Sequence, residues 1–181
     1  EIACEDSKYA YWYARDIDKC SRDDTREATY KDPYYAHLYA RDIDKCSRDD
    51  TRRVACKDSR IAFFYAREID KYPREDTREA ACENSIDAYN YAKVVDKCPR
   101  KETREAACKD PEYAYKYAFY IDKGPRNDTR KAACKNSYFA YWYAIDIDKE
   151  FQIGTWLAVK NSGFEEEYKK IFNESIKELI I

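Results

Sequence analysis

Methionine is absent from this 181-residue sequence, glycine occurs three times and histidine once. Because the only glycines are Gly124, Gly154 and Gly163, the chain has no glycine-rich loop that could cradle a phosphate group. A single histidine, His37, and the lack of any Cys-x-x-Cys pair leave no ligand set typical of zinc. We therefore predict a non-enzymatic protein with no catalytic residues, no metal and no cofactor.

Long apolar runs and a charge surplus are also missing. No window approaches the roughly 18–20 consecutive apolar residues that a membrane span needs. The 34 basic and 36 acidic residues leave a net charge of only -2, whereas a nucleic-acid binder usually has a basic surplus. No signal peptide is recognisable, and the absence of methionine indicates a processed or trimmed start, or a piece of a longer array. We expect no membrane partner and regard nucleic acid as a weak alternative.

What the sequence does contain is a repeat with a step of 26 residues. A Thr-Arg pair recurs at Thr25, Thr51, Thr77, Thr103 and Thr129. An alanine recurs at Ala10, Ala36, Ala62, Ala88, Ala114 and Ala140, and a Tyr-Ala pair recurs at Tyr13, Tyr39, Tyr65, Tyr91, Tyr117 and Tyr143. A short fixed period is typical of stacked arrays, in which each unit buries its apolar face against its neighbours.

Each repeat predicts two helices. The longer helix has an Asp or Asn where an N-cap belongs and, in two repeats, a proline at its first position, as in Asp32-Pro33. Within Pro33–Lys45, Ala36, Tyr39, Ala40 and Ile43 form one helical stripe. The shorter helix carries a possible capping box at Asp24–Glu27, with Asp24 as the cap.

The sequence thus predicts an all-α fold, an α-solenoid of about six 26-residue helix-turn-helix repeats with a C-terminal helical cap. We place the array in residues 1–150 and the capping helices in residues 151–181, where the Tyr-Ala pattern is lost. No cap is visible at the N-terminal repeat.

The eight cysteines do not suggest disulfides. Cysteines at opposite ends of one helix lie roughly 12–20 Å apart at about 1.5 Å per residue, and those in adjacent repeats lie about 8–10 Å apart. A disulfide needs Cα atoms closer than about 7 Å. We therefore predict small, partly buried thiols in a reducing, cytoplasmic compartment.

Charged residues recur in each repeat, which favours a structural role for them over a role in a single active site. An aspartate stands near the end of each long helix, as at Asp44 and Asp70, and needs a cationic partner there. Candidates are the arginine after each threonine and the recurrent Arg22 and its equivalents. We predict an inter-repeat ladder of ion pairs, with a charged ligand track as the alternative. His37 replaces an aromatic residue of the other repeats and is interpreted as its substitute on a half-buried face.

Two positions on the long helix change from repeat to repeat. The first variable position holds Trp12, Leu38, Phe64, Asn90, Lys116 and Trp142. The second variable position, four residues earlier, holds Lys8, Tyr34, Arg60, Ile86, Glu112 and Tyr138. Both lie opposite the alanine stripe, so we predict that the first-position residues, with Tyr34 and Tyr138, bind a protein partner. Unconstrained drift, or burial of the aromatic rings by a neighbouring repeat, would explain the same pattern.

The segment Asp32–Lys45, DPYYAHLYARDIDK, and its variant Asp110–Lys123, DPEYAYKYAFYIDK, resemble the short two-helix repeats of unknown function found in bacteriophage and large-virus proteins. The resemblance covers Ala3–Lys149 and carries no catalytic residues. It implies an intracellular viral or microbial setting and interference with a host factor.

The functional hypothesis is therefore a non-enzymatic helical-repeat scaffold that mediates protein–protein interaction. One alternative is a structural protein that self-assembles into a homo-oligomer through its uncapped N-terminal repeat. Another alternative is a nucleic-acid or nucleotide binder that uses rows of Arg and Tyr.

Overall fold

The structure, a computed structural model, describes residues 5–179 and, within them, all side chains except those of residues 174, 178 and 179. This part of the chain consists of helices and connecting turns, with no strand. It divides into two compact units, Glu1–Asp96 and Lys97–Ile181. Each unit is a stack of helix-turn-helix repeats, and the fold is the predicted all-α solenoid with a C-terminal helical cap.

The α-helices of the described chain follow one another as short segments. In chain order they are α1 (Ser7–Tyr13), α2 (Asp23–Ala28), α3 (Pro33–Tyr39), α4 (Asp49–Ala55), α5 (Ser59–Tyr65), α6 (Glu75–Ala81), α7 (Ser85–Tyr91), α8 (Lys101–Ala107), α9 (Pro111–Tyr117), α10 (Asn127–Ala133), α11 (Ser137–Trp142), α12 (Ile153–Val159), α13 (Glu165–Ile171) and α14 (Asn173–Leu179). A short 3-10 helix spans Thr29–Lys31.

Each long helix of the repeat continues from an α-helix into a π-helical turn. These turns span Ala14–Asp18, Ala40–Asp44, Ala66–Asp70, Ala92–Asp96, Ala118–Asp122 and Tyr143–Asp148. The lysine that follows each turn has a positive φ, for example 54° at Lys45 and 61° at Lys71. A left-handed lysine ends the helix and turns the chain toward the next short helix, at a cost of roughly 1–2 kcal/mol for a residue with a Cβ. The sequence predicted the extent of this helix but not its π-helical end.

The caps of the long helices are as predicted. Asp32 accepts the backbone N–H of Tyr34, and Asn84 accepts that of Ile86. The capping box of the short helix was predicted wrongly, because α2 begins at Asp23 and its N-cap is Arg22. Asp24 instead accepts the backbone N–H of the next residue from inside the first turn.

Alanine and tyrosine form the interior of the stack. The repeated alanines at Ala10, Ala36, Ala62, Ala88, Ala114 and Ala140 are all fully buried, which lets the helix axes approach closely. Each tyrosine of the Tyr-Ala pair from Tyr39 onward is also fully buried. The Tyr65 hydroxyl accepts the backbone N–H of Arg48 at 3.1 Å and lies 2.9 Å from the Thr51 hydroxyl and 3.2 Å from the Arg48 carbonyl.

We call this arrangement the Thr–Tyr contact. It recurs at Tyr39, Tyr91, Tyr117 and Tyr143, each time with the threonine 14 residues earlier. Burial raises the pKa of the Tyr65 hydroxyl, which keeps it a donor. From α3 onward, the Thr–Tyr contact therefore ties each long helix of the array to the short helix before it and to the turn that starts that short helix.

The predicted ion-pair ladder is present, and its partner is the arginine that follows each threonine. Arg104 binds both carboxylate oxygens of Asp122 at 2.8–3.1 Å, and Arg78 binds Asp96 in the same way. In the repeats with serine in the turn, Ser47 donates its hydroxyl to Asp70, and Arg52 lies 3.9 Å from that carboxylate.

The serine hydroxyl thus donates to the aspartate carboxylate oxygen that accepts from the arginine in the other repeats. Where proline replaces this serine, as at Pro99, no hydroxyl competes and the arginine binds the aspartate bidentately. A bidentate pair of this kind is the stronger geometry for arginine and a carboxylate.

The C-terminal cap repeats the Thr–Tyr contact with a changed spacing. Tyr168 in α13 is fully buried, and its hydroxyl lies 2.8 Å from that of Thr155 in α12, 13 residues earlier. Helices α12–α14 pack Val159, Tyr168 and Ile176 against Tyr141 of the last long helix. Helix α12 still keeps the 26-residue step, because Thr155 and Val159 follow Thr129 and Ala133 by 26 residues, whereas the 13-residue spacing from Thr155 to Tyr168 breaks it in α13.

Candidate functional site

The first variable position is less exposed than the sequence predicted. Trp12 is 40% exposed, whereas Leu38 is buried and Phe64, Asn90, Lys116 and Trp142 are half-buried. Leu38 is the clear correction. Its helix, α3, packs against both α1 and α5.

Arginine side chains cover the aromatic rings at this position in the first unit. The guanidinium carbon of Arg15 lies 3.8 Å from the centroid of the Trp12 ring, and that of Arg67 lies 4.6 Å from the Phe64 ring. Each arginine stands three residues after its ring, so both lie on one side of the helix. Cation–π contacts at exposed sites contribute about 0.5–1 kcal/mol. These arginines therefore cover part of each ring, although Trp12 stays 40% exposed.

The second variable position lies along a groove in the first unit. The groove has a volume of about 370 Å³ and runs past the starts of α3, α5 and α7. Tyr34, which is 50% exposed, and Arg60 come from the second variable position. The other lining residues are Asp32, Pro33, Asp58, Ser59, Ile61, Asn84 and Asp87. Sequence reasoning missed Ile61 and Asp87, because they share a repeat position just before the recurrent alanine, which was not one of the two variable positions considered.

The polar groups of the groove are held in fixed positions. Asp58 accepts the backbone N–H of Ile61 at 2.9 Å, and the buried Asp87 accepts the Ser59 hydroxyl at 2.8 Å. Tyr34 contacts the ring of Tyr35 edge-on at 5.3 Å. The groove therefore combines an apolar patch at Tyr34, a basic side chain at Arg60 and a wall of carboxylates that are already hydrogen-bonded to the protein.

In the second unit, two predicted binding residues meet next to the cap. The rings of Tyr138 and Trp142 lie 6.3 Å apart, and Phe164, between α12 and α13, contacts Tyr138 at 5.7 Å. Tyr138 remains 48% exposed, whereas the indole nitrogen of Trp142 is buried and has no hydrogen-bond partner among the described residues. Phe164 lies in the cap, outside the repeat array, but 26 residues after Tyr138, so counting the step beyond the array would have pointed to it.

Lys116 and Asn90 lie apart from these aromatic groups. Lys116 is half-buried, and its ammonium group lies 2.5 Å from the Glu112 carboxylate one turn earlier and 5.0 Å from the Tyr113 ring. This lysine therefore serves a local ion pair. Asn90 is half-buried on α7.

His37 is more deeply buried than the predicted half-buried substitute. It is 3% exposed, and its Nε2 atom lies 3.3 Å from a carboxylate oxygen of Glu68 on the next long helix. Burial lowers the pKa of His37, and the Glu68 charge opposes this shift only in part. His37 also lies beside the rings of Phe64 and Tyr65, so it fills the place of an aromatic core residue.

None of the seven cysteines of the described chain is in a disulfide, and Cys4 lies outside the described residues. Burial raises the pKa of Cys56 to about 12 and those of Cys108 and Cys134 to about 11. These thiols are protonated at neutral pH and are poor nucleophiles.

Two further findings concern residues 5–179. Every helix there is too short and too polar to cross a lipid bilayer. The His, Cys, Asp and Glu side chains of this stretch form no group of three or more that could hold a metal ion.

No protein-family model matches the chain, and no curated protein and no solved structure is significantly similar to it. The resemblance to viral two-helix repeats therefore stays a prediction from the sequence, and function rests on the geometry described above.

Proposed function

We propose that this chain is a non-enzymatic helical-repeat scaffold that binds a protein partner through the groove along α3, α5 and α7. The observation that carries the proposal is a contrast between the inside and the outside of the stack. The buried Thr–Tyr contacts repeat with little change, whereas the groove residues Tyr34 and Arg60 differ at each repeat. A partner lying across several repeats would meet a different side chain at each one.

The chemistry of the groove favours an extended peptide segment of that partner. Tyr34 supplies a large, half-exposed ring of the kind that anchors interfaces, and Arg60 supplies one charged contact. The carboxylates of Asp58 and Asp87 accept hydrogen bonds from their own protein, so these oxygens do not depend on the partner for a donor. Interference with a cytoplasmic host factor, which the resemblance implies, is the setting in which we would look first.

The test is selection of binding peptides from a random display library, using the wild type, Tyr34→Ala and the matched control Tyr120→Ala. Tyr120 is 51% exposed and contacts the Phe119 ring edge-on at 4.9 Å, so its exposure and this ring contact are close to those of Tyr34. We expect wild type and Tyr120→Ala to enrich the same peptides, and Tyr34→Ala to lose them. Enrichment of the same peptides by all three proteins, or by none, would refute the groove as the binding site.

Self-association is a second candidate, because α1 leaves Tyr9, Tyr13 and Ile17 exposed at the N-terminal repeat. Light scattering tests it directly, since a strict monomer at high concentration would remove it. The nucleic-acid alternative loses support, because the arginines that follow each threonine are engaged with carboxylates, as in Arg104 and Asp122.

A further inference from the structure

One acidic residue of the groove stands where the other repeats have an aromatic or aliphatic residue. The position just before the recurrent alanine holds Tyr9, Tyr35, Ile61, Asp87, Tyr113 and Phe139. Asp87, in α7, is only 5% exposed and lines the groove. Because a carboxylate this deeply buried is costly unless it is paired, a charge at an otherwise apolar position points to a ligand.

Ser59 engages one of the two carboxylate oxygens of Asp87 and leaves the other open. The Ser59 hydroxyl donates to Oδ2 of Asp87 at 2.8 Å. The other oxygen, Oδ1, accepts no hydrogen bond from the described residues of the first unit, and no cation of that unit forms an ion pair with Asp87. Since Asp87 lines the groove, a donor that lies in the groove can reach this oxygen.

The charge of the groove favours a cation of the partner. Among the described lining residues, Asp32, Asp58 and Asp87 are acidic and Arg60 alone is basic. Asp32 and Asp58 each use one oxygen to accept a backbone N–H, at 2.8 and 2.9 Å, so each has a second oxygen to offer. Arg60 is exposed and pairs with none of these carboxylates. The groove is therefore complementary to a positively charged side chain.

Two features select lysine over arginine as that side chain. Because Ser59 takes one oxygen of Asp87, this carboxylate cannot accept the two parallel N–H bonds with which a guanidinium binds best. An ammonium group has three donors and can bond to single oxygens of separate carboxylates. Ile61 and Tyr34, which also line the groove, provide an apolar surface for the lysine stem.

We propose that the groove recognises a lysine of the bound peptide, whose ammonium group pairs with Asp87 and whose stem packs on Ile61. This inference rests on the proposed function, because it names the residue of the partner peptide that the groove selects. Tyr34 anchors the peptide, and Asp87 discriminates among peptides. An apolar or acidic residue at the same place would cover the Asp87 carboxylate without pairing it.

The experiment measures the Kd of synthetic peptides whose sequences the wild type has selected from the random display library. The protein variants are Asp87→Asn, which keeps the size and an acceptor for Ser59, and the control Glu83→Gln, which removes one charge at an exposed position outside the groove. We expect a lysine to recur at one position of the selected peptides. Asp87→Asn should weaken their binding about 10- to 100-fold, whereas Glu83→Gln should change it less than about twofold.

Changes in the peptide test the same contact with the wild-type protein alone, so the result does not depend on how well Asp87→Asn folds. Acetylation of the recurrent lysine removes its charge and should weaken binding about 10- to 100-fold. Replacement of the lysine by arginine keeps the charge but changes the geometry, and it should weaken binding by a smaller factor.

The proposal is overturned by selected peptides that share no lysine, by equal Kd values for wild type and a folded Asp87→Asn, or by unchanged binding of the acetylated peptide. Equal binding of the lysine and arginine peptides would overturn the choice of lysine. Peptides that Tyr34→Ala loses and Asp87→Asn keeps would refute lysine recognition and leave the groove as the binding site. If the wild type selects no peptide, or if Tyr34→Ala keeps them all, the proposed function fails and this inference fails with it.

Discussion

Removal of one buried tyrosine hydroxyl should destabilise the stack far more than its size suggests. Tyr65→Phe deletes a single oxygen and keeps the ring, so packing in the first unit is preserved. The lost oxygen serves three groups, namely the backbone N–H and carbonyl of Arg48 and the hydroxyl of Thr51, all within 3.2 Å. The substitution therefore isolates the Thr–Tyr contact from the hydrophobic contribution of the ring.

The magnitude follows from which of these groups can find another partner. The Thr51 hydroxyl keeps its contact with the Arg48 carbonyl at 3.3 Å, so only the Arg48 N–H loses its partner. A polar group left unsatisfied in the interior costs about 1–3 kcal/mol. Because the chain has 181 residues, each kcal/mol should lower the Tm by about 2–4 °C.

The measurement is the free energy of unfolding in urea, followed by circular dichroism, with Tyr13→Phe as the matched control. Tyr13 occupies the same position of the repeat, but its hydroxyl has no partner within the described chain, so this variant should stay within about 0.5 kcal/mol of wild type. A double-mutant cycle with Thr51→Val should give a coupling energy of about 0.5–3 kcal/mol. Equal losses in Tyr65→Phe and Tyr13→Phe would refute the reasoning.

Two further predictions concern charged groups. His37→Phe should make the stability less sensitive to acid, because burial lowers the pKa of His37 in the folded protein. A histidine of this kind contributes stability above its unfolded pKa of about 6.5, and that contribution is lost as the pH falls through its folded pKa. Between pH 7.5 and pH 5.5, the urea midpoint of unfolding should therefore fall more for wild type than for His37→Phe. An equal fall in both proteins would contradict this. Arg104→Ala should cost about 3–5 kcal/mol because it leaves Asp122 buried without its cation, whereas the exposed control Lys101→Ala should cost under about 0.5 kcal/mol. Thermal unfolding distinguishes the two, and a loss below 1 kcal/mol for Arg104→Ala would contradict burial of the pair.

The sequence predicted the repeat framework because the framework is periodic. A buried alanine and a capping Asp or Asn recur at each step, and each has one dominant physical role, close helix approach or helix initiation. The arginine–aspartate ladder was also predictable, since an acid at the end of a helix needs a cation. The sequence-based prediction was wrong where two local hydrogen-bonding arrangements compete. The Asp24 carboxylate could cap the helix from outside or accept a hydrogen bond within its first turn.

The candidate site was harder to predict, because exposure depends on neighbours that are distant in sequence. Tyr34 and Tyr138 are half-exposed as expected, yet Leu38 is buried, and Phe164 joins Tyr138 from outside the repeat. A helical wheel gives the direction of a side chain but does not show how far neighbouring residues bury it. The arginine that covers Trp12 likewise became visible only with the side chains in place.

The 26-residue step, read from the amino acids alone, determined the helices, their order, their alanine interior and the need of each aspartate for a cationic partner. Tertiary structure alone decided that the recurrent tyrosine hydroxyls are buried against the backbone 17 residues earlier, that serine displaces arginine at Asp70, and that Leu38 is buried. The physical reason is that periodicity fixes local geometry, whereas burial and hydrogen-bond partners depend on what packs next to each helix.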